Sequence, residues 1–213
     1  PDLILTRRIF SNASWQEGGR LFGGNFQQLS ETEREGITIN GQPVVEVDIK
    51  SCHATMAFAE AGHYWQASSN MDIYQHERLA EWPRELVKRA FNITLNAQSE
   101  TKAKWALLDT SNKNGWQYVH EDVRVRGWQS RLLNDIQTTF PELAHLFLCG
   151  RGMHYMWQEG EIGLQVIEAC MAKDIPVLTI FDSFIVPMQY EAEARRIIHV
   201  AFQDVVGSHC VLK

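Results

Sequence analysis

With 213 residues, 45% of them hydrophobic and 22% charged, the chain has ordinary globular composition, enough for one good-sized domain or two small ones around a shared core. No run of about 18 or more apolar residues occurs and the start carries no secretion signal, so no segment reads as membrane-spanning or exported. The net charge of −6 argues against a protein that grips nucleic acid by bulk electrostatics, although basic residues gather at Arg84, Lys88 and Arg89 and at Arg124, Arg126 and Arg131.

In chain order, residues 36–48 read as a hairpin, two β-branched runs around Asn40-Gly41, with the second strand ending on Asp48. Glu46 is read as pointing to the opposite face of that strand, in a structural role. A helix is predicted from Ser51 to Ala61, closed by Gly62. Another is predicted from Pro83 to Asn96, because proline suits a first helical turn where its missing N–H is harmless. Residues 100–150 read as helical, with Trp105, Trp116 and Trp128 as packing anchors. Apolar residues at helical spacing predict a helix from Glu161 to Lys173, and a last amphipathic helix runs from Tyr190 to Val205. Cys52, Cys149, Cys170 and Cys210 lie far apart without a CxxC pair, which points to a reducing, cytoplasmic setting.

Between the last two helices, Val177 to Val186 is almost wholly apolar but is broken by Asp182-Ser183. Burying a carboxylate between Phe181 and Phe184 costs several kcal/mol unless it is paired or binds a metal. Taken alone, the break favours an exposed and inert hairpin turn, since Asp and Ser are common turn residues. The order of the other motifs reverses that preference.

Those motifs are Gly19-Arg20-Leu21-Phe22 followed by Gln27-Gln28-Leu29; Val45-Glu46-Val47-Asp48; Asp72-Ile73-Tyr74; Arg84-Glu85-Leu86-Val87-Lys88; and Ile180-Phe181-Asp182-Ser183-Phe184. In this order they resemble the A-family DNA polymerases and the related single-subunit phage-type RNA polymerases, over residues 18–205. The resemblance implies an α+β polymerase palm, an antiparallel sheet with packed helices, carrying a helical fingers insertion. Its parts would be residues 1–62 (palm, first part), 63–150 (fingers-like) and 151–213 (palm, second part). It departs from the family at Phe181, where a histidine is usual, and at Asn96, where an aromatic residue is expected. The thumb region is missing on the N-terminal side. A fragment, a divergent primase-like polymerase of a phage or mobile element, and a degenerate copy all fit these departures.

The function implied is template-directed nucleotidyl transfer by two metal ions, Mg²⁺ with Mn²⁺ as substitute. Asp48 and Asp182 would hold the ions, with the Ile49 carbonyl as a third ligand by resemblance. Arg84 and Lys88, one turn apart, would grip the triphosphate, with Lys88 able to protonate the departing pyrophosphate. Asn92 and Asn96 continue the same helix row. An isolated Arg-x3-Lys would otherwise read as a solvated basic face, and His53, beside the sugar by resemblance, equally as a satisfied packing residue. Arg20, Gln27 and Gln28 would touch the primer–template. Partners are a template and primer, nucleoside triphosphates, and another domain or subunit for grip; no membrane is expected. Neither His53 nor Asn96 walls off a ribose hydroxyl, so ribonucleotides are expected to be accepted about as well as deoxyribonucleotides. The rival reading is a catalytically inactive palm that binds nucleic acid or serves a replication complex. It draws on the acidic charge and the missing histidine.

Overall fold

The structure, a computed structural model, describes residues 6–63, 72–115 and 121–213. Its contacts divide the chain into two compact units, Pro1–Ala59 with Met153–Lys213, and Glu60–Gly152. The sequence placed the corresponding boundaries after residues 62 and 150.

The first unit opens with a separate antiparallel ribbon, β1 (Arg7–Ser11) and β2 (Ser14–Phe22). A 3-10 turn (Asn25–Gln28) and the short α1 (Glu31–Arg34) follow, α1 starting from a reciprocal Ser30–Glu33 capping box. Strands β3 (Thr38–Ile39) and β4 (Gln42–Asp48) form the expected hairpin. Asn40 and Gly41 have φ of 52° and 74°, the two left-handed residues that a type I′ turn requires. After α2 (Cys52–Glu60) and α6 (Gly152–Met171; α3–α5 belong to the second unit), β5 (Leu178–Ile180) and β6 (Ser183–Pro187) complete a four-stranded sheet of order β3-β4-β6-β5, antiparallel throughout. The final helix α7 (Glu191–Val206) packs on β4 and β6.

The β4–β6 register pairs Val45 with Val186, Val47 with Phe184 and Asp48 with Ser183. Val47, Phe184, Ile198 and Phe202 have no exposure at all. Full burial of side chains of this size stabilises by roughly 1.5–3 kcal/mol each, which fixes the register against a one-residue slip. Helix α6 begins at Gly152, well before the predicted Glu161. Two of its glycines, Gly160 and Gly163, lie against β2, where an added Cβ would meet Gly19 and Leu21.

In the second unit the described residues form no strand. Helices α3 (Arg84–Asn96), α4 (Glu100–Asn114) and α5 (Trp128–Thr139) pack around Phe91, whose ring meets those of Tyr74, Phe140 and Phe147 edge-on at 5.9, 5.5 and 5.7 Å. Ser99 caps α4 and Gly115, at φ 64°, ends it. Trp128 is buried as expected, whereas Trp105 is 68% exposed and anchors nothing; Trp116 lies outside the described residues. Trp105 falls beside Lys102 and Lys104 on the solvent side of α4, whose buried positions are Ala103, Leu107 and Ser111. The chain is thus α+β, with an antiparallel sheet and packed helices. No described helix is long and apolar enough to cross a membrane.

Candidate active site and metal centre

Asp48 is the last residue of β4, and Asp182 sits in the two-residue turn between β5 and β6. The ladder makes them neighbours: Asp48 pairs with Ser183, and the Ile49 amide donates to the Asp182 carbonyl at 3.0 Å. On its other side the Asp48 backbone exchanges two hydrogen bonds with Lys213, at 3.1 and 3.0 Å. The Asp48 carboxylate accepts from Ser183 Oγ at 2.9 Å through Oδ1 and meets Lys213 Nζ at 3.1 Å through Oδ2.

Glu46 does not point away from Asp48. Residues two apart on a strand share a face, and Glu46 and Asp48 line one cleft of about 510 Å³ together with their cross-strand partners Ile185 and Ser183. The role of Glu46 is structural all the same, because the Arg34 guanidinium grips its two oxygens at 2.8 and 3.0 Å.

Asp182 faces a different group. One ligand atom each from Asp182, Glu159 and Cys52 lie within 4.8 Å of one another. Burial, then the nearby charges of Glu159 and Asp48, push the Asp182 carboxyl up to about 7. Glu159 is 3% exposed. Its Oε2 accepts from Arg20 Nε at 2.5 Å and lies 3.1 Å from His53 Nε2, while Oε1 is buried with no hydrogen-bond partner. Burial alone would raise the Glu159 carboxyl, but His53 and Arg20 outweigh it and hold it below its ordinary value. The Cys52 thiol is pushed well above its usual range by burial, Glu159 and Asp182.

Local sequence explains this assembly. Tyr155, Glu159, Ile162, Val166 and Cys170 form one buried stripe of α6 at helical spacing, so the glutamate is the only acidic residue on an apolar face. That intruder was the signal in the sequence for Glu159, which motif reasoning missed. Gly160 lets the ribbon approach: a Cβ there would stand 2.2 Å from the Gly19 carbonyl oxygen. The neighbouring Arg20 thereby reaches Glu159. The turn is strained, since Phe181 has φ 55°, a conformation costing a bulky residue on the order of 1–2 kcal/mol. The Arg20 guanidinium over its ring at 4.9 Å and the edge of Phe22 at 5.6 Å hold it there.

The other predicted residues fall into two groups. Arg20 and His53 belong to the Glu159 network, and Ile49 is 1% exposed beside Asp182. Gln27 is engaged internally: its amide donates to the Leu21 and Thr179 carbonyls at 3.0 and 2.9 Å and accepts from the Gly23 amide at 3.2 Å. Gln28 is exposed and lines, with Arg7, Phe22 and Phe181, a cleft of about 770 Å³. In the helical unit Arg84 is tied to Asp72 at 2.5 Å and Glu85 at 2.7 Å, and Asp72 also caps the turn at Tyr74. Lys88 is exposed on the same helix row, and the Asn96 amide donates to the Asn92 carbonyl at 2.8 Å. No model of a protein family matches the chain, and no curated protein matches it either.

Proposed function

We propose that the chain is the palm and helical fingers of a template-directed nucleotidyltransferase that works through divalent cations held by Asp48 and Asp182. The observation that carries this reading is that the ladder brings Asp48, the last residue of β4, beside the turn that holds Asp182, with Asp182 kept among charges of its own sign. A half-buried carboxylate beside Glu159 and Asp48 is costly alone and becomes favourable once a cation arrives, so oxygen donors of this kind fit Mg²⁺ or Mn²⁺. When bound, such ions neutralise phosphate charge and ease ionisation of the attacking hydroxyl.

The side chains of the chain do the rest. Ser183 orients Asp48 through Oδ1, and the Lys213 ammonium holds Oδ2, the place a cation would take. Lys213 is 67% exposed in its side chain and can swing away at little cost. Within the helical unit, Arg84 and Lys88 present two cations one turn apart that suit phosphate oxygens, and Arg84 would exchange Asp72 and Glu85 for them.

One contact favours the inactive alternative: Lys213 on Asp48 could neutralise the site permanently, leaving a nucleic-acid-binding palm. Incorporation of labelled nucleotide opposite each of the four template bases, with dNTPs and rNTPs and with or without Mg²⁺, separates the two readings. Metal-dependent, template-matched addition is expected. Binding of primer–template with no addition under any metal would establish the inactive palm instead.

A further inference from the structure

We infer that Cys52, Glu159 and Asp182 form a site for one thiolate-accepting divalent cation, of the Zn²⁺ or Co²⁺ kind, with ligands distinct from Asp48. It deepens the reading above, because it shares Asp182 and names a second type of metal at the same centre.

Four observations carry it. Three potential ligand atoms, one sulfur and two oxygens, already lie within 4.8 Å of one another. Around a tetrahedral ion with bonds of about 2.0–2.3 Å they would lie roughly 3.3–3.8 Å apart, so the group needs to close by only about 1 Å. Glu159 Oε1 is buried without a hydrogen-bond partner, although Oε2 has two neighbours; an unmatched acceptor inside a protein calls for a donor or a cation. The two groups beside Glu159, Arg20 and His53, fix that carboxylate as outer-shell partners fix metal ligands. Finally, the charges balance: two carboxylates and a thiolate carry three negative charges, matched by a divalent cation and the Arg20 guanidinium.

The sulfur decides the class of ion. Mg²⁺ takes oxygen ligands, whereas thiolate selects Zn²⁺ and its neighbours. Binding releases the Cys52 thiol proton to solvent as the S–metal bond forms, with no change of oxidation state. Three protein ligands leave a fourth position open, as in sites where the metal meets a substrate.

Co²⁺ is the probe, added to the metal-free full chain without nucleotide or nucleic acid. One equivalent is expected to bind with a thiolate-to-cobalt charge-transfer absorption. Cys52→Ser should abolish that absorption, and Glu159→Gln should weaken Co²⁺ binding tenfold or more. Asp48→Asn should keep the absorption. Circular dichroism of each variant confirms folding, and Cys52→Ser, nearly isosteric, keeps the test valid if Glu159→Gln misfolds. No thiolate absorption in the parent chain, or its persistence in Cys52→Ser, overturns the site. Extension of primers in Mg²⁺ by the parent chain is scored separately. Extension without cobalt–thiolate absorption defeats this inference alone, and the absorption without extension defeats only the nucleotidyl-transfer reading.

Discussion

Asp182 shows most directly how burial and neighbouring charge tie one residue's protonation to stability. Its carboxyl is raised from 3.8 to about 7 in the folded chain, so between those values the native state binds more protons than the unfolded one. In chelator, the Asp182 contribution to stability should therefore be full below about pH 4, fall as pH rises to about 7, and level off above. Asp182→Asn removes that loss: above pH 7 the metal-free variant should be more stable by on the order of a few kcal/mol, converging with the parent near pH 4. Urea melts across this range check it, and a difference independent of pH would contradict the account. Gln27 makes a second case. Sequence resemblance assigned it to nucleic acid, but its three internal hydrogen bonds join residues 21, 23 and 179. Gln27→Ala should cost about 1 kcal/mol in a thermal melt, since it strands the part-buried Leu21 and Thr179 carbonyls. Gln28→Ala, exposed on the cleft, should leave stability unchanged.

At the scale of elements, the approach of α6 to β2 is what delivers Glu159 to Arg20. Replacing a helical glycine by alanine normally gains up to about 1 kcal/mol. At Gly160 the added Cβ would meet the Gly19 carbonyl oxygen at 2.2 Å, a backbone atom that cannot turn aside; at Gly163 it would meet only Leu21 Cδ1 at 3.1 Å. Gly160→Ala should thus lose about 1–3 kcal/mol, while Gly163→Ala stays within about 1 kcal/mol of the parent. Equal effects of the two in chemical denaturation would contradict the proposed contact. Elements set by local chemistry were legible in the sequence: Asn40-Gly41 marks the hairpin and Pro83 the start of α3. The start of α6 was not, because its buried stripe runs through Glu159, a carboxylate that apolar spacing does not count. Trp105 misled for a related reason, since a tryptophan in a helix says nothing of which side meets solvent when the apolar stripe is weak. The turn at Asp182 was legible as a break in an apolar run, but its burial depends on α2 and α6, far away in sequence.

Over the whole molecule, charge is unevenly shared. Residues 60–152 carry 11 Asp and Glu against 11 Lys and Arg, and the remainder carries 15 against 9, so the net −6 resides entirely in the sheet-bearing unit. Under the proposed function, that unit should repel phosphates until cations bind, so divalent ions should be needed for binding as well as for nucleotide addition. Without divalent ions, primer–template should bind weakly and lose affinity steeply with monovalent salt; tight, salt-insensitive binding in a filter or anisotropy assay would contradict this. The motif order along the chain carried the functional reading, and Glu159 and Cys52 entered only when folding brought them to Asp182. The most direct test of the central claim is the single-turnover rate of adding one template-matched nucleotide, in Mg²⁺ or Mn²⁺, for the parent, Asp48→Asn and Asp182→Asn. Losing metal stabilisation worth several kcal/mol should slow each variant on the order of a thousandfold while the fold persists. Addition by either variant at the parental rate would contradict the account.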